Sequence, residues 1–168
     1  MAAVFISHIH EENFEADALD WFLRDRLKVR SFLASSIWHL RGGEHWLDRI
    51  RSELRECQVM LSLLSPRSIG RAWINFEAGG AWAAQKPVIP CCFNGTKKGN
   101  LPQPLASLQA LELPKDLYEL VISVHHHLGR AGIPPPPFFD DDLATAVQEA
   151  FRGKGFHPPI PPLPGSQD

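Results

Sequence analysis

Short apolar runs alternate along this chain with longer stretches in which apolar residues recur every three or four positions, the periods of strand and helix. Ala2 to Ser7 reads as a short buried strand, closed by a polar loop that runs on to Glu12. From about Glu12 to Leu27 the apolar positions Phe14, Ala18, Trp21, Phe22 and Leu27 fall on one helical stripe, with acids in the first turns and bases in the last. Val29 to Ala34 is a second strand, and Ser35 to His45 a long loop holding Trp38, Arg41 and the pair Gly42-Gly43. A helix over Glu44 to Glu56 follows, with Trp46, Leu47, Ile50 and Leu54 turned inward. Gln58 to Leu64 is a third strand, its near-continuous apolar run that of a parallel strand buried on both faces, and Ser65-Pro66 ends it. The next helix runs to about Gln85 and carries Trp73, Phe76, Glu77, Gly80 and Ala81 at helical spacing. Pro87 to Cys92 and a weak Leu108 to Leu113 complete the strands, and Lys115 to Leu128 the helices. Strand and helix alternate throughout, which predicts a three-layer α/β sandwich around a five-stranded parallel sheet.

Composition changes near residue 130. Most of the 15 prolines lie in the last quarter, in Pro134 to Pro137 and from Pro158 to Pro164. The boundary is therefore set to give a domain over residues 1–130 and a proline-rich tail over 131–168. Within the tail, Asp140-Asp141-Asp142 suits the positive end of a short helix over 140–152, and little fixed structure is expected from Gly153 onward. The tetraproline run reads as a stiff spacer, with docking to an SH3-like partner as the minority alternative.

At 168 residues, 44% hydrophobic and 21% charged, the chain is an ordinary globular domain by size and usage. A net charge of −2 provides no electrostatic basis for binding nucleic acid or an anionic membrane. Three cysteines, two of them adjacent, make no disulfide framework and fit a reducing compartment. With no membrane-spanning apolar stretch and no basic leader before the first strand, a cytoplasmic location is expected.

Candidate chemistry centres on Glu77, an acid on an otherwise apolar helical face. Glu is rarely buried without a partner, so it faces a cleft, holds a cation, or forms a structural ion pair with Arg67, Arg71 or another base. Trp73, one turn earlier, belongs either to the core or to the wall of the same cleft. His125-His126-His127 point in different directions on a helix, and Cys91-Cys92 alternate faces on a strand, so neither group reads as a metal site. No G-x-G-x-x-G follows a strand, and Gly95 to Gly99 has the wrong order for a phosphate-binding P-loop. A phospho-receiver needs an Asp at the end of the third strand, where this chain has Leu64-Ser65.

Three blocks resemble the TIR (Toll/interleukin-1 receptor) domain family, in its bacterial form. Val4-Phe5-Ile6-Ser7-His8 is similar to the opening strand. Phe32 to Ser36, through Gly43-Glu44-His45-Trp46, is similar to the second strand and the BB loop after it. Leu63-Leu64-Ser65-Pro66 with Trp73-Ile74-Asn75-Phe76-Glu77 is similar to the segment bearing W-x-x-x-E, the most specific of the three. The resemblance covers roughly residues 1–129 and implies a flavodoxin-like fold. In the NAD-cleaving members a glutamate serves cleavage of the nicotinamide–ribose bond. The resemblance places it at Glu77, with an active-site aromatic at Trp73, Ser7 and His8 walling the pocket, and Trp38 and Trp46 flanking the loop that covers it. Either Glu11 or Glu12 fills the acidic position that often follows the first strand.

What the resemblance implies is an NAD+ glycohydrolase that releases nicotinamide and ADP-ribose or a cyclic ADP-ribose. NAD+ would be the substrate, with no cofactor and no metal. Self-association through TIR–TIR contacts, a partner protein and a role in bacterial antiphage defence belong to the same implication. The alternative is a non-catalytic TIR adaptor that only assembles with other TIR domains; a weaker third reading is an enzyme resembling nucleoside deoxyribosyltransferases.

Overall fold

The computed structural model describes residues 2–34, 46–130, 132, 137 and 141–159. Five strands, β1 (Val4–Ser7), β2 (Ser31–Leu33), β3 (Val59–Leu64), β4 (Val88–Cys92) and β5 (Leu111–Glu112), form one sheet in the order β2-β1-β3-β4-β5. Every pairing is parallel, and Ser7 of β1 lies opposite Ser62 of β3. The central β3 is buried along its whole length, as its apolar run predicts. Pro90 sits inside β4, but β5 pairs only with Cys91 and Cys92. At Pro90 that side of the strand is an edge, where the missing N–H costs no ladder bond.

Successive residues feed opposite layers. Val4, Ile6, Leu61, Leu63 and Cys91 face α1 (Asn13–Leu27), α4 (Leu117–His127) and α5 (Asp142–Phe151). Phe5, Met60, Leu64 and Cys92 face α2 (Trp46–Glu56) and α3 (Ala72–Ala83). The two adjacent cysteines therefore do alternate faces, and both are buried because both faces are covered.

The inward faces of α1 and α2 differ from expectation. In α1 the inward stripe is Ala16, Leu19 and Leu23 with Ala18, Phe22 and Leu27, whereas Phe14 and Trp21 are exposed. Phe14, Asp17, Trp21 and Arg24 follow the i, i+3, i+7, i+10 line of the solvent side, where the Arg24 guanidinium lies 6.0 Å from the Trp21 ring. In α2 only Ile50 and Leu54 turn inward; Trp46 and Leu47 in its first turn are exposed.

The helix expected over 140–152 is present as α5, and its apolar stripe is covered. Leu143, Ala144, Val147, Ala150 and Phe151 are buried in the cluster that holds α1 and the sheet, and Phe151 meets Phe93 edge-on at 5.2 Å. Asp141 caps the helix, one oxygen accepting from the Ala144 N–H at 3.0 Å, the other from Arg26 of α1 at 2.7 Å. Contrary to the loose segment expected after Gly153, Phe156 returns to the same core. Gly153 and Gly155, at φ 81° and 76°, make the turn that brings it there. Among the described residues no helix is long and apolar enough to cross a membrane.

Candidate active site

A sheet of this order reverses direction between β1 and β3, and ligands of open α/β sheets bind at the carboxyl ends of the strands at that point. Ser7 is the last residue of β1, and the alternation of the strand puts its side chain on the Phe5 face, toward α3. From α3, Glu77 descends onto it. The Ser7 hydroxyl donates to Oε2 of Glu77, and the Trp73 indole Nε1–H, one turn back on the helix, donates to Oε1 at 2.8 Å. Glu77 is 0% exposed. Ser62, beside Ser7 in the register, carries a buried hydroxyl with no partner among the described residues.

Burial raises the Glu77 pKa to about 7, while the bonds from Ser7 and Trp73 hold it lower than burial alone would. The arginine pairing weighed from sequence is not what the structure shows, because Arg71 reaches Glu11 instead, at 3.3 Å. Phe76 does not share the buried face with Glu77; it is 60% exposed. It stacks on Trp73 with centroids 5.1 Å apart, and Trp46 contacts the same indole at 4.9 Å. Trp46 and Phe76 thus form an aromatic shelf over the indole that donates to the carboxylate. Both Glu77 oxygens accept a bond within the protein and the side chain is closed to solvent, so a ligand reaches the carboxylate only when the side chains around it move.

Of the residues expected around the substrate, Ser7, Trp73 and Glu77 are joined directly and Trp46 through its ring contact. His8 is buried beside them in sequence, its ring nitrogens engaged by the Ile6 carbonyl at 3.2 Å and the Asn13 side chain at 3.1 Å, and burial lowers its pKa. Trp38 lies outside the described residues. Sequence reasoning left Glu11 and Glu12 undecided. Glu12 is the buried one, accepting from the Ser65 hydroxyl at 2.5 Å; that contact spans 53 residues and leaves no local signal in the sequence. Among the described residues no group of three or more His, Cys, Asp or Glu side chains could hold a metal ion.

The raised pKa has a consequence for stability. A carboxyl group that keeps its proton in the folded state up to about pH 7 contributes stability that is full below its unfolded pKa, near 4.5. That contribution is lost as pH rises toward 7, over roughly 3 kcal/mol at most. Glu77→Gln, which cannot ionise, is expected to flatten the fall in stability between pH 4.5 and 7, read by urea titrations at several pH values. An unchanged slope would mean that Glu77 is ionised throughout.

Fold and site together define a flavodoxin-like α/β protein with a buried carboxylate at the reversal point of its sheet. The chain belongs to the TIR domain family, whose family model matches residues 4–122. Similar solved structures include the TIR domain of the Toll-related receptor TRR-2 from Hydra magnipapillata, at 15% identity and a TM-score of 0.58, covering 77% of this chain and 97% of that one. A metazoan TIR-STING receptor from C. gigas is similar in two structures. One, in complex with 2',3'-cGAMP, is 19% identical with a TM-score of 0.58, covering 74% of this chain and 39% of that one. The other is 16% identical with a TM-score of 0.53, covering 81% of this chain and 42% of that one. This chain thus spans about two fifths of the TIR-STING receptor, and at these identities the likeness is one of fold. No curated protein matches the sequence significantly.

Proposed function

We propose that the protein is an NAD+ glycohydrolase with Glu77 as its catalytic carboxylate. One observation carries the reading: a buried carboxylate at the sheet's reversal point, held between a serine and a tryptophan, with a pKa of about 7. Cleavage breaks the bond between the ribose anomeric carbon and the nicotinamide nitrogen, and the electron pair leaves with nicotinamide. Water adds to the anomeric carbon and a proton is released, giving ADP-ribose; attack by a group of the substrate itself gives a cyclic product. Positive charge gathers on the ribose in the transition state, and an ionised carboxylate stabilises it. The Trp46–Trp73–Phe76 shelf supplies flat faces for nicotinamide. A cytoplasmic role in bacterial defence, beside a partner protein, belongs to the same proposal. The test is incubation of concentrated protein with NAD+ and detection of free nicotinamide.

The same mechanism sets a pH profile. If the ionised form works, activity rises with pH through about 7. Ser7→Ala removes a bond that favours the ionised carboxylate, so the acid limb is expected to move to higher pH. A limb that stays in place in Ser7→Ala would separate Ser7 from the titration of Glu77.

The second reading, a non-catalytic adaptor, has support of its own. The similar structures are receptors, and the helix that carries Glu77 also exposes Phe76 and Trp82, the latter at 73%. The comparisons lie nearer to this reading than to the enzyme. Head-to-tail assembly would link the two by completing the pocket from a neighbouring copy. Specific activity is then expected to rise with protein concentration and to fall in Trp38→Ala with little change in melting temperature. A dilution series with light scattering checks it; flat activity from a monomer excludes assembly as a requirement.

A further inference from the structure

The hydrogen bonds around Glu77 suit its ionised form, in which Ser7 and Trp73 both donate to it. The neutral acid has a different requirement. Trp73 can only donate, so the carbonyl oxygen of the acid faces the indole and the proton sits on Oε2, against the Ser7 hydroxyl. Ser7 must then accept, and it does so by turning its own hydrogen elsewhere. Ser7 is 0% exposed, so that hydrogen meets no water and is costly unless another side chain receives it.

Ser62 is placed to receive it. Ser7 and Ser62 are partners in the parallel pairing of β1 and β3, so their side chains project to one face, that of Phe5, Met60 and Leu64. Neighbouring strands lie about 4.8 Å apart, a gap that two serine hydroxyls close to hydrogen-bond length by rotation about χ1. The Ser62 hydroxyl is buried and has no partner among the described residues while Ser7 donates to Glu77. We propose that Ser62 is a positioning residue for the proton of Glu77: when Glu77 is protonated, Ser7 accepts from it and donates to Ser62, and when Glu77 ionises, Ser7 turns back. The proton exchanges with solvent, and the two serines keep their own. The proposal rests on the same carboxylate as the reaction proposed above and names a further residue that sets its charge.

No other charge governs the exchange. α3 packs on β1, β3, β4 and α2, and neither β1 nor β3 carries a titratable side chain. His8 is held by Ile6 and Asn13 with its pKa lowered, and burial keeps the thiols of Cys57, Cys91 and Cys92 neutral at pH 7. On α2, Arg49 pairs with Glu53 and Arg51 with Asp48, while Arg55 and Glu56 are exposed.

The test is a carbon NMR titration of the full chain with labelled glutamate and no substrate, the Glu77 carboxyl signal being identified by its loss in Glu77→Gln. Ser62→Ala removes the acceptor that the neutral form needs and nothing that the ionised form uses. It is expected to weaken proton binding at Glu77 about 10-fold, placing the midpoint about one pH unit below that of wild type. A merely structural role predicts the reverse, because a more apolar surrounding disfavours the charged form. Ser7→Ala, which removes a donor to the ionised form, is expected to raise the midpoint, so the two adjacent serines act in opposite directions. Ser62→Cys puts a weaker acceptor in the same place; its midpoint should fall between those of wild type and Ser62→Ala, and it serves alone should the alanine variant not fold. A midpoint unchanged or raised in Ser62→Ala, or in Ser62→Cys where only that variant folds, would overturn the proposal. A protein that shows the shift yet releases no nicotinamide would retain the role of Ser62 and lose the proposed reaction.

Discussion

Glu77→Gln is expected to lower nicotinamide release by about 10²-fold or more while leaving the fold in place. The two halves of that expectation have separate causes. Gln cannot carry the negative charge that offsets an oxocarbenium-like ribose, so transition-state stabilisation goes. The hydrogen bonds survive in altered form: the amide oxygen still accepts from Trp73, and the amide nitrogen donates to Ser7, whose hydroxyl rotates to accept. Because Glu77 has a pKa of about 7, its protonated form already resembles the amide in the folded protein near neutrality. Turnover is measured as nicotinamide released from NAD+, and folding by a thermal melt. Wild-type turnover in the variant would remove the catalytic assignment and leave the adaptor reading.

The second large effect lies far from that carboxylate. Cutting the chain after Arg130 is expected to abolish the cooperative melt or to lower its midpoint by more than about 15 °C. The deletion removes Leu143, Val147, Phe151 and Phe156 from one continuous core. Burying a side chain of this size stabilises by about 1.5–3 kcal/mol, so four together approach the total stability of an ordinary domain, about 5–15 kcal/mol. The cut also uncovers the face of α1 against which α5 packs and leaves Arg26 without Asp141. Asp141→Ala, which removes only the cap and the ion pair, should cost about 1 kcal/mol and shift the melt by a few degrees. A truncated chain that melts within a few degrees of the full one would make residues 131–168 a true tail.

The sheet was legible in the sequence because strand periodicity is a local signal. Val59 to Leu64, a short apolar run stopped by Ser65-Pro66, read as a strand covered on both faces, and the chain between strands repeats at helical spacing. Trp73 and Glu77 were legible as a pair for the same reason, being one turn apart. What joins them to Ser7 was not, because strand order, which sets Ser7 beneath α3, leaves no mark on local pattern. The outward turn of Phe14, Trp21, Trp46 and Leu47 was missed because residue type alone does not say which helical stripe meets a neighbour. The proline count drew attention to a change in composition after residue 130 and away from Leu143, Val147 and Phe151, whose spacing is that of a buried helical face.

The bond between Ser7 and Glu77 spans 70 residues, and it orders events as the chain leaves the ribosome. β1 emerges before α3, as an apolar strand whose serine has as yet no carboxylate to hold. Only when β3 has paired beside β1 and α3 has settled over them does the carboxylate lose its water and gain its two donors. Under the proposed function, hydrolysis of NAD+ would begin only after that docking, and a copy in which α3 has not settled over β1 would be inactive.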